Sequence, residues 1–316
     1  MTTRVAAFDC GTNSLRLLIA DLDPATATST ELVREMRIVR LGEGVDRSGR
    51  ISEAAMDRVF TAVEEYAELV AAHDVEATRF CATSAARDAE NSQVFMDGVH
   101  ERIGVRPEVL DGDAEAEASF SGAVRDLPGL PGPLLVCDIG GGSTELILGT
   151  VEEGIIAAHS LDIGSVRLNE RHLADDPPTR AQIEAAVADI DAALDGCRVD
   201  PARAGALIGV AGTVTTLAAG VLDLAAYDRD LIHHSVLPAA AVHATVSRLL
   251  AMTVAERRSL GYMHPGRADV IGAGALILDR LLRRTPVQTL LVSEHDILDG
   301  IAWSLAATDP ASGKAS

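Results

Sequence analysis

One strand-turn-strand pattern is written twice in this chain. Residues 6–19 read AAFDCGTNSLRLLI and residues 135–148 read LVCDIGGGSTELIL; aligned without a gap, Asp9 meets Asp138, Gly11 meets Gly140 and Ser14 meets Ser143. In each copy an apolar run delivers a carboxylate to a tight turn of Gly and hydroxyl residues, and a second apolar run leaves. Glycines let the backbone approach an anion, hydroxyls add donors, and the Asp suits a cation or a water. The duplication is what separates these turns from an ordinary hairpin, for which a single Asp-x-Gly would be enough. Neither copy is a nucleotide P-loop, because no Lys follows, and neither is a dinucleotide fingerprint, because strand rather than helix comes next.

The chain has 316 residues, a length natural for two domains, and its 47% hydrophobic but 3% aromatic composition builds cores from Ala, Val, Leu and Ile, as in α/β layers. A net charge of −20 argues against general binding to nucleic acid or anionic membrane. No apolar stretch is long enough to span a bilayer and no signal-peptide pattern opens the chain, so the cytoplasm is the expected compartment. Cys10, Cys81, Cys137 and Cys197 lack C-x-x-C spacing and read as reduced thiols, with Cys10 the one placed to be oxidisable. An anionic ligand would have to be held by a few concentrated cations. Arg16, Arg87, Arg167 and Arg267 are the candidates, each beside a glycine- or hydroxyl-rich segment.

Three strands, Arg4 to Phe8, Ser14 to Asp21 and Glu31 to Leu41, read as a meander, followed by a helix capped by Ser52. A strand at Thr78 to Ala82, a helix ending at Gly104 and a strand at Arg106 to Leu110 come next. Asp113 opens a helix to about Asp126, and Pro128 to Pro133 breaks the chain. The second half restarts with the repeated hairpin, and a strand at Ala206 to Val210 feeds a third glycine-hydroxyl turn, Ala211 to Thr216, at a helix start that favours anions. Gln288 to Ser293 reads as a final buried strand and His295 to Ala306 as a last helix, with a frayed tail after it. The domains so read are 1–120 and 121–303, the last helix packing back on the first domain, and 304–316 is the tail. Adjacent His233 and His234 would face apart on a strand and are assigned no metal, nor is His295.

Asp9-Cys-Gly-Thr-Asn-Ser, Asp138-Ile-Gly-Gly-Gly-Ser-Thr-Glu and Ala211-Gly-Thr-Val-Thr-Thr, in this order, resemble the actin-like ATPase and sugar-kinase superfamily. Within it, Thr83 to Asn91, Gly112 to Ala116 and Arg267 to Ile271 resemble the exopolyphosphatase and guanosine pentaphosphate phosphatase family, in its short form without a C-terminal helical domain. The resemblance implies an α/β fold of two ribonuclease-H-like (actin-like) domains with an interdomain cleft, and a homodimer. It departs from the family at Asp111, where Ser is usual, and at Ile297-Leu298-Asp299-Gly300, where Leu-Arg-Glu-Gly is frequent.

The implied activity is metal-dependent release of terminal phosphate from inorganic polyphosphate, with guanosine pentaphosphate as the alternative substrate. A sugar kinase and a phosphate or nucleotide sensor without turnover are the competing classes. By the resemblance, Glu115 activates the attacking water. Phosphate falls to Gly11, Thr12, Asn13, Ser14, Arg87, Gly140, Gly141, Gly142, Ser143, Thr144, Gly212 and Thr213. Magnesium (Mg2+) or another divalent cation falls to Asp138 and Glu145, with Asp9 sharing it.

Overall fold

The computed structural model describes residues 2–127 and 129–307. Pro128, in the expected chain break, and the expected tail from residue 308 onward lie outside the described residues. The chain divides into two compact units at Gly122/Ala123, and returns to the first unit at Asp296/Ile297.

The first unit runs β1 (Thr3–Cys10), β2 (Ser14–Asp23), β3 (Thr28–Ile38), α1 (Val45–Ser48), α2 (Glu53–Ala72), β4 (Ala77–Ala82), α3 (Ser84–Asp88), α4 (Ser92–Ile103), β5 (Glu108–Val109) and α5 (Gly112–Val124). Its sheet has the order β3-β2-β1-β4-β5, antiparallel from β3 to β1 and parallel from β1 to β5. Alternation along β1 sends Ala6, Phe8 and Cys10 to one face and Val5 and Ala7 to the other. Both faces are covered, which is why Val5 to Phe8 is a continuous apolar run rather than an alternating one. On the first face Phe8 stacks on Phe80 at 5.1 Å, beneath α2 and α4. Ser52 starts α2 by accepting the Ala55 amide, as its sequence position requires.

The second unit runs β6 (Leu134–Ile139), β7 (Thr144–Thr150), β8 (Gly154–Leu161), α6 (Ser165–His172), α7 (Arg180–Asp195), β9 (Ala206–Val210), α8 (Ala211–Val221), α9 (Arg229–Ile232), β10 (Val236–Pro238), α10 (Ala239–Ala251), α11 (Val254–Arg258), α12 (Ile271–Leu282) and β11 (Thr289–Val292). The sheet order is β10-β11-β9-β6-β7-β8. Read from β8 to β11, it repeats the first sheet in order and in strand sense, with β10 added antiparallel at the edge. β10 has only three residues, one of them Pro238, too weak a pattern to be read as a strand from sequence.

α13 (Ile297–Ala307) belongs to the first unit, whereas the sequence reading allotted its stretch up to residue 303 to the second. Ile297, Leu298, Ile301, Ala302 and Trp303 fill the second face of the first sheet against Val5, Ala7, Leu18 and Leu22. Gly300 permits that approach, because a Cβ there would collide with the Ala118 carbonyl of α5. Asp299, where the resemblance led us to expect Glu, receives two hydrogen bonds from Arg34, at 2.6 and 3.3 Å.

Candidate active site

The two hairpins share one register. Asp9 lies opposite Arg16, and Asp138 lies opposite Glu145. Directly opposed residues of an antiparallel pair project to the same side, so each carboxylate meets its cross-strand neighbour. In the first unit that neighbour is a cation: Arg16 donates from Nε and one terminal nitrogen to Asp9 Oδ2, at 2.9 and 2.7 Å. Pairing with buried Asp9 turns Arg16 inward. In the second unit the neighbour is another acid, and the row continues to Ser160 on β8, whose hydroxyl donates to Glu145 Oε1 at 2.7 Å. Asp138 and Glu145 are buried, at 6% and 1% exposure.

Each turn is braced by the segment that follows the third strand of its own sheet. In the first, the amides of Val39 and Arg40 hold the Asn13 carbonyl at 3.0 and 2.9 Å, and Gly42 holds that of Thr12 at 2.9 Å. In the second, Ser165 holds Gly140, Val166 and Arg167 hold Gly141, at 2.8–3.1 Å, and the Arg167 Nε holds Gly142 at 2.7 Å. A trans peptide points its N–H opposite to its C=O. With three successive carbonyls bound to the start of α6, the amides of Gly141, Gly142 and Ser143 are therefore directed away from it together, a nest for an anion. In the first turn the same argument directs the Asn13 amide away from Gly42. Gly42 and Gly164 are the residues that let the braces close, since a Cβ would strike the Thr12 side chain in one case and the Gly141 backbone in the other.

The third turn joins β9 to α8, with Ala211 in the left-handed region at φ 66°. Arg267 donates to the Gly212 carbonyl and to Thr216 at 3.4 and 3.3 Å, and its guanidinium occupies the space a Cβ on residue 212 would need. Thr213 is buried at the first turn of α8. The equivalent turn of the first unit, between β4 and α3, brings Ser84 to Thr12, hydroxyl to hydroxyl, at 2.8 Å.

Glu115 lies in the first turn of α5, 6% exposed. Arg87, in the last turn of α3, donates to Glu115 Oε2 at 2.9 Å and to the Leu110 carbonyl at 2.8 Å. The Arg fixes the acid's rotamer, and an adjacent guanidinium favours a carboxylate over a carboxylic acid. Asp111, the departure noted above, turns its side chain onto the Ala114 amide at 2.9 Å and so starts the helix that carries Glu115.

Cys10 is fully buried, and burial followed by the neighbouring charge of Asp9 pushes its thiol up, out of the reactive range. The expectation of an oxidisable Cys10 is thereby corrected. Burial likewise pushes Cys81 up to about 12.

A family model for the Ppx/GppA phosphatase family matches residues 18–308. The chain belongs to that family. Among its relatives, Exopolyphosphatase 2 of Mycobacterium tuberculosis is 47% identical over 317 residues, covering 96% of this chain and 99% of that one. Among solved structures, an exopolyphosphatase-like protein superposes with a TM-score of 0.92 at 42% identity, over 96% of this chain and 98% of that one. An exopolyphosphatase from Cytophaga hutchinsonii does so with a TM-score of 0.87 at 28% identity, over 96% and 97%. The expected α/β class with two actin-like sheets is the fold of this Ppx/GppA member.

Sequence reasoning missed Ser84, Ser160, Gly42 and Gly164. Ser160 was recoverable from register alone, once the β7–β8 hairpin was aligned. The two glycines carry no local signal, because their role lies in close approach to a turn distant in sequence.

Proposed function

We propose that this chain hydrolyses terminal phosphoanhydride bonds and releases orthophosphate from inorganic polyphosphate. The observation that carries the reading is the row of carbonyls Gly140, Gly141 and Gly142 all bound by the segment Ser165 to Arg167, from which peptide planarity directs the amides of Gly141, Gly142 and Ser143 the other way. Such a nest fits the tetrahedral, uniformly charged oxygens of a phosphoryl group and selects no base or sugar. Gly11, Thr12, Asn13 and Ser14 serve as a second cradle, and Gly212 and Thr213 as a third, at the start of α8.

Hydrolysis then needs a water deprotonated as it attacks phosphorus, while the bond to the leaving phosphate oxygen breaks. Glu115 accepts that proton. Arg87, already on Glu115, supplies the cation for the transferring oxygens and keeps the base oriented. Asp138 and Glu145 offer hard oxygen donors on directly opposed register positions, which suits a divalent cation of the Mg2+ type; when bound, such an ion neutralises phosphate oxygens. Asp9 suits that role less, because Arg16 already engages its Oδ2.

Orthophosphate release from polyphosphate and from guanosine pentaphosphate, measured in parallel, tests the substrate. A far higher kcat/KM on the nucleotide reassigns the chain to guanosine pentaphosphate; saturable binding without metal-dependent release makes it a sensor; label transfer from ATP to a sugar makes it a kinase. A homodimer belongs to the same reading, carried by the family resemblance, and light scattering tests it. Among the described residues no helix is long and apolar enough to cross a membrane.

A further inference from the structure

Three histidines of the second unit converge on one carboxylate oxygen. His233 Nε2, His234 Nε2 and His295 Nδ1 lie 3.1, 3.3 and 3.1 Å from Asp126 Oδ2. Adjacent histidines were expected to face apart on a strand. They instead occupy a turn in which His234 takes a left-handed φ of 61°, and the reversal stacks its ring on His233 at 3.7 Å. His295 closes the group from the segment after β11, its ring 4.6 Å from that of His233.

The spacing differs from that of the unit's other histidine–aspartate pairs. His172 meets Asp189 at 2.8 Å and His243 meets Asp279 at 2.6 Å, ordinary lengths for a charge-assisted hydrogen bond. The three contacts at Asp126 are longer by several tenths of an ångström. Ligands held about 2.0–2.1 Å from a tetrahedral ion are separated from one another by about 3.3 Å, close to what is found here. Asp126 Oδ1 adds a second indication, being buried without a hydrogen-bond partner among the described residues.

We propose that Asp126, His233 and His295 form a binding site for a borderline-soft transition-metal dication of the Zn2+ type, separate from the acidic pair Asp138 and Glu145. Each of the three residues offers one donor atom, all within 4.8 Å of one another. Imidazole nitrogen with a single carboxylate favours such ions over Mg2+, which prefers oxygen. The fourth position falls to water or to His234.

Entry of the ion involves a defined proton shift. The Glu294 amide donates to His233 Nδ1 at 3.1 Å, so neutral His233 carries its proton on Nε2, toward Asp126. Ligation moves the ring to the other tautomer: the Nε2 proton leaves, Nδ1 gains one, and the Nε2 lone pair takes the ion. The Glu294 amide must then turn from Nδ1, which weakens the site relative to one already in the binding tautomer.

The test is a Co2+ titration of the chelator-treated full-length protein with Mg2+ in large excess, so that all-oxygen sites are filled. One equivalent should develop the intense visible bands of low-coordinate Co2+ and lose them to Zn2+. His233→Ala and His295→Ala should each weaken binding about tenfold or more, as should Asp126→Asn, while His100→Ala on α4 should leave it unchanged. Circular dichroism checks that each variant is folded. Should the alanine variants fail that check, His295→Gln keeps a polar side chain of similar reach, and Zn2+ should raise the melting temperature of the wild type but not of this variant. Absence of the Co2+ bands in the wild type, or equal affinity in wild type and His233→Ala/His295→Ala, would overturn the proposal.

Discussion

The two hairpins are the same object built twice, with opposite electrostatics. Their turns are braced from the same place, just after the third strand, and their acids stand at the same register position. The neighbouring side chain then diverges: Arg16 pairs with Asp9, while Glu145 sets a second carboxyl beside Asp138 and Ser160 orients it. A row so paired can sit beside phosphate unaided. Under the proposed function, two facing carboxyls suit a phosphate only with a cation beside them, which would place the metal at the second copy.

If that division holds, substitutions in the two units should fail in different ways. The largest effect is expected at Glu115→Gln, where kcat should fall by about 10²–10⁴ as for loss of a general base, with half-saturating Mg2+ unchanged in steady-state assays. Glu145→Gln should instead raise half-saturating Mg2+ by about 10- to 100-fold, whereas Arg16→Gln should leave it in place; equal shifts in both variants would dissolve the contrast. Third, Gly164→Ala should destabilise by about 1–3 kcal/mol, more than Gly42→Ala, because the first collides with backbone and the second with a side-chain methyl. Denaturant melts give that order directly.

The smallest effect is in acid. Burial opposes ionisation of Asp191 and of Asp279, but hydrogen bonds from Arg280 and Arg284 to the first, and from Arg283 and His243 to the second, prevail and hold both carboxyls below the usual value of 3.8. A depressed pKa contributes stability above the unfolded value that is lost as pH falls through the folded one. Two such acids lie in the second unit, Asp279 the more buried, against Asp21 beside Arg4 in the first, so hydrogen exchange below about pH 4 should show the second unit losing protection before the first. Simultaneous loss in the two units would remove this asymmetry.

Local pattern carried most of the fold. Apolar runs around Asp9 and Asp138 placed both hairpins, and Ser52 and Gly104 marked helix ends that the chain uses. What local pattern lacked was pairing across long separations. Nothing near Arg87 announces Glu115, 28 residues on; the family resemblance gave each a role, but not their contact. The stacking of His233 on His234 depends on one residue adopting positive φ, which a β-branched or bulky side chain resists and which histidine adopts only occasionally. Arg106 to Leu110 was read as a five-residue strand, but only Glu108 and Val109 pair with β4.

Because α13 covers the β1–β2–β4 face, the first sheet cannot be finished until the ribosome has made everything through residue 303. Vectorial synthesis therefore lets the later unit, contiguous in the chain, mature while the earlier one still has an apolar face bare. Trp303, the sole indole of the protein, lies on the helix that ends this exposure, so its emission is a native clock for the moment the two ends of the chain meet.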